Sequence, residues 1–407
     1  MAAEALAPTR RYIMGPELDA GDEAVELSVI IPCLNEADTL ATCLGKAHRA
    51  LAAHGIGGEV IVADNGSTDG SVEIATWCGA RVVHVPAKGY GSALMGGIAA
   101  ARGRYVLMGD ADDSYDFGEL PKFVGRLRAG AELVQGCRLP SGGGRVMPGA
   151  MPFLHRWFGN PLFSVLVRLW FKAPINDVNC GMRAFTKDLY ERLDLRCTGM
   201  EFATEMVIKA SLHKARIDEV PTTLYPDGRK AHPPHLRTFR DGWRTLRFYL
   251  MCSPRWLFLV PGLILVTFGA AGYAVAMPRT VIGGVGFDVH TLLFASLSLI
   301  VGFQSVAFAV MTKTFAVAEG LLPPDARVHR INEIVTLERG LLASAGAVVI
   351  GLTLLVLAVL QWRAVQFGAL DYGTTMRIVI PGVTLSALGV QGMLWSFFNS
   401  VLGLRRR

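Results

Sequence analysis

Four stretches in the second half of the chain, residues 256–277, 292–312, 341–362 and 378–404, contain no charged side chain. Each has about the 20 residues that a helix needs to cross a bilayer's hydrocarbon core. A chain that carries them is expected to be an α-helical membrane protein over residues 255–407, with four spans. They hold Gln304, Gln391 and Asn399, but no acid or base stands at mid-span. Intramembrane ionisable residues mark transport paths, so a transporter is disfavoured.

Basic residues set the expected orientation. Arg229, Lys230, Arg237, Arg240, Arg244, Arg247 and Arg255 precede the first span, and Arg405, Arg406 and Arg407 follow the last. The connection at 313–340 holds Lys313, Arg327, Arg330 and Arg339, whereas the other two hold Arg279, then Arg363 and Arg377. An even number of spans with both termini cytoplasmic, in the cell inner membrane, satisfies this pattern. The tail at 1–27 is mixed in charge and lacks the apolar core of a secretory leader. Seven cysteines without CxxC spacing are expected to be free thiols. The net charge of +6 lies mostly near the membrane and comes without interleaved stacking aromatics, so nucleic acid is not an expected partner.

Residues 28–230 read as a soluble α/β domain. SVIIP, EVIVAD, RVVHVP, YVLMGD and ELVQG read as buried strands separated by helical stretches. That alternation predicts a parallel sheet with helices on both faces. Ligands bind such sheets outside the carboxyl ends of the strands, where PCLNE, DNGSTDGS, DADD and Arg138 fall. Residues 231–254 place Leu236, Phe239, Trp243, Leu246 and Leu250 at helical spacing, with arginines on another face. This is the pattern of a helix lying in the membrane interface. The stretch from 325 to 340 has a weaker version of it. HPPH at 232–235 is not a metal site by this reading, because two prolines prevent the helix that would align its histidines.

GDADDSYD, residues 109–116, concentrates four carboxylates in a chain that is 18% charged. Like charges at a strand end are costly unless a cation sits among them. Two aspartates one residue apart suit Mg²⁺ or Mn²⁺, which bind through one or two carboxylates and substrate phosphates. In isolation a solvated acidic turn explains the same residues. VADNGSTDGS offers a helix start suited to anions, or a βα turn capped by Asp69. KGYG lacks the third glycine of a dinucleotide fingerprint. Glu201 and Glu205 share a helical face and could orient Arg183 or a sugar, or form ordinary ion pairs.

Together SVIIPCLNE, DNGSTDGS, KGYGSAL, DADDSYD, GCR, DVNCGMRAF and EVPTTLYPDGR resemble family-2 glycosyltransferases of the GT-A fold. The resemblance is closest to enzymes that make polyprenyl-phosphate sugars, such as dolichyl-phosphate mannose synthase and polyprenyl-phosphate glucosyltransferases. It covers residues 28–255. It implies an inverting, metal-dependent enzyme that moves a hexose from a nucleotide-sugar donor to polyprenyl phosphate at the membrane, with UDP-glucose favoured over GDP-mannose. On this pattern Pro32, Leu34, Glu36, Asp64, Asn65 and Ser67 would contact the nucleoside, and Lys88 and Gly89 would line the nucleotide cleft. Asp110 and Asp112 would bind the metal. Arg138, Arg156 and Asn160 would receive the acceptor phosphate, and Arg229 would steady the diphosphate. Asp177 has two readings, a part near the sugar or a structural cap.

This chain departs from the pattern at Ser114, often a glutamine, and at Asn160, commonly a serine. A processive polysaccharide synthase shares the fold, but its Gln-x-x-Arg-Trp motif meets Cys252 in CSPRW. A non-catalytic nucleotide-sugar-binding membrane protein would not need the acidic motif intact. Glycine-bearing spans such as PGLILVTFGAAG suggest a homo-oligomer.

Overall fold

The computed structural model describes residues 25–229, 238–334 and 336–403. The chain divides into two compact units, one ending at Leu246 and the other beginning at Arg247.

The first unit is built on strands β1 (Leu27–Cys33), β2 (Gly58–Asp64), β3 (Arg81–His84), β4 (Tyr105–Met108) and β5 (Leu133–Cys137). All but β3 are largely buried, as the uninterrupted apolar runs require of strands covered on both faces. Helices α1 (Leu40–Ala53), α2 (Ser71–Trp77), α3 (Tyr90–Ala100) and α4 (Leu120–Arg128) connect them. On α1 the buried residues Leu40, Cys43, Leu44, Ala47 and Leu51 recur at helical spacing, giving one stripe that faces the sheet. The contact of α3 is closer. A Cβ on Gly97 would lie 2.6 Å from Ile30 Cγ2, so only glycine lets this helix approach β1.

The expectation of an all-parallel sheet is corrected in one place. A short β6 (Arg145–Val146), α5 (Asn160–Phe171) and β7 (Arg183–Thr186) follow β5. Then come α6 (Lys187–Leu193), α7 (Glu201–Leu212), β8 (Ile217–Pro221) and a short β9 (Thr223–Leu224). The sheet order is β3-β2-β1-β4-β7-β5-β8, and β7 runs antiparallel to both neighbours. RAFT is too short to announce a strand by period. It is recruited because it fills the gap between β4 and β5, pairing Met108 with Arg183 and Gln135 with Arg183. The cores of β1, β2, β4 and β5 stay mutually parallel, so their carboxyl ends share one edge.

Helix α8 (Thr238–Cys252) crosses from one unit to the next. Trp243 on it is exposed, as are Arg240, Arg244 and Arg247. Leu236, Arg237 and HPPH lie outside the described residues.

The second unit has α9 (Val260–Ala276), a hairpin of β10 (Val281–Ile282) and β11 (Val285–Gly286), α10 (Val289–Ala318), α11 (Ala326–Ile334), α12 (Leu337–Ala364) and α13 (Tyr372–Gly403). Four segments are long and apolar enough to span a membrane: Arg255–Ala276, Val289–Ala318, Leu337–Ala364 and Tyr372–Leu402. They bury little of their surface within the chain, as lipid-facing helices do. The glycines that suggested an oligomer are used inside the chain. A Cβ on Gly269 would lie 2.7 Å from Ala295 O, and one on Gly351 would lie 2.6 Å from Ser386 N. Small residues thus bring α9 onto α10 and α12 onto α13. The Tyr273 hydroxyl, 2.6 Å from Ser296 Oγ and 3.1 Å from Thr384 Oγ1, ties α9, α10 and α13 together.

Candidate active site

The carboxyl edge of the sheet gathers the expected residues. After β2, the Asp64 carboxylate accepts hydrogen bonds from the N–H groups of Gly66 (3.2 Å) and Ser67 (2.9 Å) and lies 3.2 Å from His84 Nδ1. Burial pushes its carboxyl up, but the bonds from Ser67, His84 and Gly66 outweigh it and hold the group below its usual range. Asn65 acts as a local staple. Its Nδ2 donates to Val85 O and Ala87 O, and its Oδ1 accepts the Gly89 N–H at 2.9 Å. Lys88 Nζ donates to Asn65 O at 2.5 Å. Ser67 Oγ accepts from Asn35 N–H, Pro32 pairs with Ala63 one residue before the end of β1, and Leu34 is exposed.

After β4, Asp110 and Asp112 differ sharply. Asp110 Oδ1 accepts a 2.9 Å bond from the Tyr90 hydroxyl, and its Oδ2 fills the space beside Gly181, where a Cβ would come within 2.3 Å. Burial, and then the adjacent Asp112 charge, push the Asp110 carboxyl up to about 6. Asp112 accepts from Ser114 N and Oγ (2.5 Å to Oγ) and lies 3.3 Å from Arg229 Nη1. Ser114 therefore supports Asp112 from behind. Among the described residues no group of three His, Cys, Asp or Glu side chains is arranged to hold a metal. Two hard oxygen donors, one of them destabilised as an anion, fit a divalent cation whose remaining ligands come from substrate or water.

Arg229 is held by three carboxylates: Glu36, Asp227 (2.8 Å) and Asp112. Burial weakens its charge, but these partners more than compensate and keep it firmly protonated. The Glu36 carboxylate accepts from Arg229. Sequence reasoning missed Asp227, Tyr90 and Tyr115. The two tyrosines stand inside KGYG and DADDSYD, where only the lysine, glycines and acids drew attention.

Arg138 and Asp177 form a buried pair. Arg138 Nε donates to Oδ2 at 2.7 Å, Nη2 donates to Oδ1 at 2.9 Å, and the Arg138 N–H adds a 3.0 Å bond. Asp177 is fully buried, and its carboxylate holds Arg138 in place. Arg138 Nη1 also donates to Tyr115 Oη at 3.3 Å, and that oxygen accepts the Gly181 N–H at 2.8 Å. The chain from Arg138 through Tyr115 and Gly181 thus reaches the cradle of Asp110. Arg156 lies on a π-helical turn, His155–Gly159, with its guanidinium 5.5 Å from the Trp157 ring centroid. Asn160 accepts from Asn179 Nδ2 at 2.9 Å. Glu201 and Glu205 are ion-pair partners, of Arg244 (2.8 Å) and Lys209 (2.9 Å). Arg183 is fully buried and donates to the carbonyls of Cys180, Val178 and Ala203. Among the described residues no two cysteines are joined in a disulfide.

The first unit is a mixed α/β domain with paired acids at its sheet edge, and the chain continues into four membrane-length helices. The family profile for glycosyl transferase family 2 matches residues 28–194, and that for the glycosyltransferase family 2 C-terminal transmembrane region matches residues 310–403. The chain belongs to glycosyltransferase family 2 and is an integral membrane glycosyltransferase. It is 37% identical over 386 residues to the low-salt glycan biosynthesis hexosyltransferase Agl6 of Haloferax volcanii, spanning 94% of this chain and 90% of that protein. A dolichyl-phosphate hexose transferase of the same organism is 31% identical over 197 residues, 48% of this chain and 81% of that one. Among solved structures, glucosyl-3-phosphoglycerate synthase from Mycobacterium tuberculosis with Mn²⁺, UDP and glucosyl-3-phosphoglycerate is similar at 23% identity and a TM-score of 0.44, over 56% of this chain and 80% of that one.

Proposed function

We propose that this enzyme transfers a hexose, with inversion, from a nucleotide-sugar to a polyprenyl phosphate at the cytoplasmic face of the membrane, with UDP-glucose the favoured donor. The observation that carries the reading is the Asp110/Asp112 pair facing Arg229 at the carboxyl edge of the sheet, in a chain with four membrane-length helices. The similarity to a hexosyltransferase along nearly the whole chain, and to a dolichyl-phosphate hexose transferase along the first half, supports it.

The chemistry needs little from the protein beyond positioning. A lipid phosphate is substantially ionised at pH 7, its second pKa lying near ~6. It attacks the anomeric carbon directly. A new C–O bond forms on one face as the bond to the nucleoside diphosphate breaks on the other, and no proton must be removed. Asp110 and Asp112 would hold Mg²⁺ or Mn²⁺, whose charge offsets that developing on the leaving diphosphate. Arg229 would exchange carboxylate partners for the diphosphate. Arg138, fixed by Asp177, and Arg156 with Asn160 would hold the acceptor phosphate in line. Asp64, Asn65, Ser67, Lys88 and Gly89 would bound the nucleoside side of the cleft.

The test is transfer of label. Purified protein is incubated in detergent with undecaprenyl phosphate, Mn²⁺ or Mg²⁺, and labelled UDP-glucose or GDP-mannose in parallel. Label entering the organic phase from one donor, and lost with EDTA or Asp112→Asn, is expected. No lipid-linked label from either donor, despite donor-dependent thermal stabilisation, would sink the acceptor assignment.

A further inference from the structure

Asp110 and Asp112 are supported in different ways. Asp112 takes its bonds from Ser114, two residues along the same turn. Asp110 receives a single hydrogen bond among the described residues, from the Tyr90 hydroxyl to Oδ1 at 2.9 Å, and Tyr90 stands 20 positions earlier on another element. The terminal torsion of an aspartate is broad, so one donor decides which way the Asp110 carboxylate faces.

The main chain on both sides of Tyr90 is fixed by close contact. Gly89, at φ 128°, adopts a conformation that glycine enters freely and other residues rarely do. A Cβ on Gly89 would lie 2.3 Å from Thr198 O, and one on Gly91 would lie 2.4 Å from Cys197 O. Residues 197 and 198 therefore press against the first turn of α3, where the Ser92 N–H donates to Thr198 O at 3.1 Å. On the other side the Gly89 N–H donates to Asn65 Oδ1. In KGYG the two glycines admit this packing, and the tyrosine between them is delivered to Asp110 by a backbone held on both sides.

We propose that Tyr90 is a positioning residue for the divalent cation: its hydroxyl holds the Asp110 carboxylate in the orientation from which it ligates Mg²⁺ or Mn²⁺. The inference rests on the reading of Asp110 and Asp112 as the cation's protein ligands, and it holds whichever acceptor the enzyme uses. Losing an outer partner of a ligating group costs about tenfold to a hundredfold in metal affinity. Tyr90→Phe keeps the ring and deletes one oxygen, whose hydrogen bond among the described residues is to Asp110. The loss therefore falls on that carboxylate.

The experiment is Mn²⁺ binding to the full-length protein in detergent, read without nucleotide from the loss of the free-ion EPR signal. UDP binding in EDTA, measured by calorimetry, reports the nucleotide cleft separately. Tyr105→Phe is the control, because its hydroxyl donates to Leu127 O and Tyr105 begins the strand that Asp110 follows. Melting curves establish that each variant is folded. The expected result is a Mn²⁺ dissociation constant about tenfold higher in Tyr90→Phe and within about twofold of the parent in Tyr105→Phe. UDP affinity in EDTA should stay within about twofold of the parent. Replacing Tyr90 by p-aminophenylalanine, which restores a donor on the same ring, should recover most of the lost Mn²⁺ affinity. A folded Tyr90→Phe that binds Mn²⁺ as the parent does would overturn the proposal. So would an equal loss of UDP affinity in EDTA, which would make Tyr90 a support of the whole cleft. A parent that binds no Mn²⁺ would overturn the cation reading as well, and the parent alone tells that failure apart.

Discussion

Arg229 grips Glu36 across 193 positions of sequence, Nη2 lying 2.6 Å from Oε1 and Nε 2.8 Å from Oε2. The bidentate pair fastens the segment at 225–229 to the loop after β1, beside Asp112. It fixes a positive charge 3.3 Å from the Asp112 carboxylate.

The pair can be measured by a double-mutant cycle. Glu36→Gln leaves Arg229 with Asp227 and Asp112, so its stability cost should be about 1–2 kcal/mol, not the larger loss of a stranded charge. Transfer activity should fall by about tenfold or more, because a mobile arginine no longer pre-organises the site. With Arg229→Gln in the same background, a coupling of about 1–2 kcal/mol is expected. Additive losses would remove Glu36 from the site.

Asp110 should be a stability liability that the activity requires. Its pKa of about 6 lies above that of an unfolded aspartate, so folding disfavours the ionised form. The penalty is absent at low pH and complete above about 6. In metal-free buffer at pH 8, Asp110→Asn should therefore raise the melting temperature, by roughly 1–2 kcal/mol of stability. It should also abolish transfer. A variant that melts lower than the parent at pH 8 would contradict this account of its burial.

Gly181 sets the room beside Asp110. A Cβ there would stand 2.3 Å from Asp110 Oδ2 and 3.1 Å from the Tyr115 ring. Gly181→Ala should push the carboxylate aside, raising the Mn²⁺ concentration for half-maximal transfer by about tenfold. Ser114→Ala, which removes a hydroxyl bonded to Asp112 at 2.5 Å, offers a milder comparison through the other carboxylate. Metal titrations of both variants identical to the parent would separate the acids from the cation.

Acid stability of the catalytic unit should depend on Glu26. Hydrogen bonds from Arg128, and then Arg104, hold its carboxyl down to about 2 against modest burial. A carboxylate depressed on folding stabilises at pH above its unfolded value, about 4.5, and loses that contribution as pH falls towards 2. Both arginines are half exposed or more, so solvent screening limits the effect to about 1 kcal/mol. Glu26→Gln should thus destabilise at pH 7 and match the parent near pH 2. Equal stability at both values would show the pair to be idle.

Much of the site could be read from one dimension because each motif follows its own strand. PCLNE, DNGST and DADD end β1, β2 and β4, and parallel pairing brings such ends to one edge. Less legible was whatever depended on chain segments meeting far apart in sequence. No local pattern shows that Asp177 lies against Arg138, or that Glu201 pairs with Arg244.

The sequence by itself determined the division into an α/β half and four apolar helices, since length without charge leaves a segment few other places to go. It also determined the positions of the acids, because alternation places strand ends. Only the tertiary structure decided that β7 enters the sheet antiparallel, that Glu36 binds Arg229, and that α5 turns its apolar face outward. Those outcomes depend on which surfaces are left to cover once the other elements have packed, and no local pattern in RAFT, LNE or NPLFSVLVRLWF records that remainder.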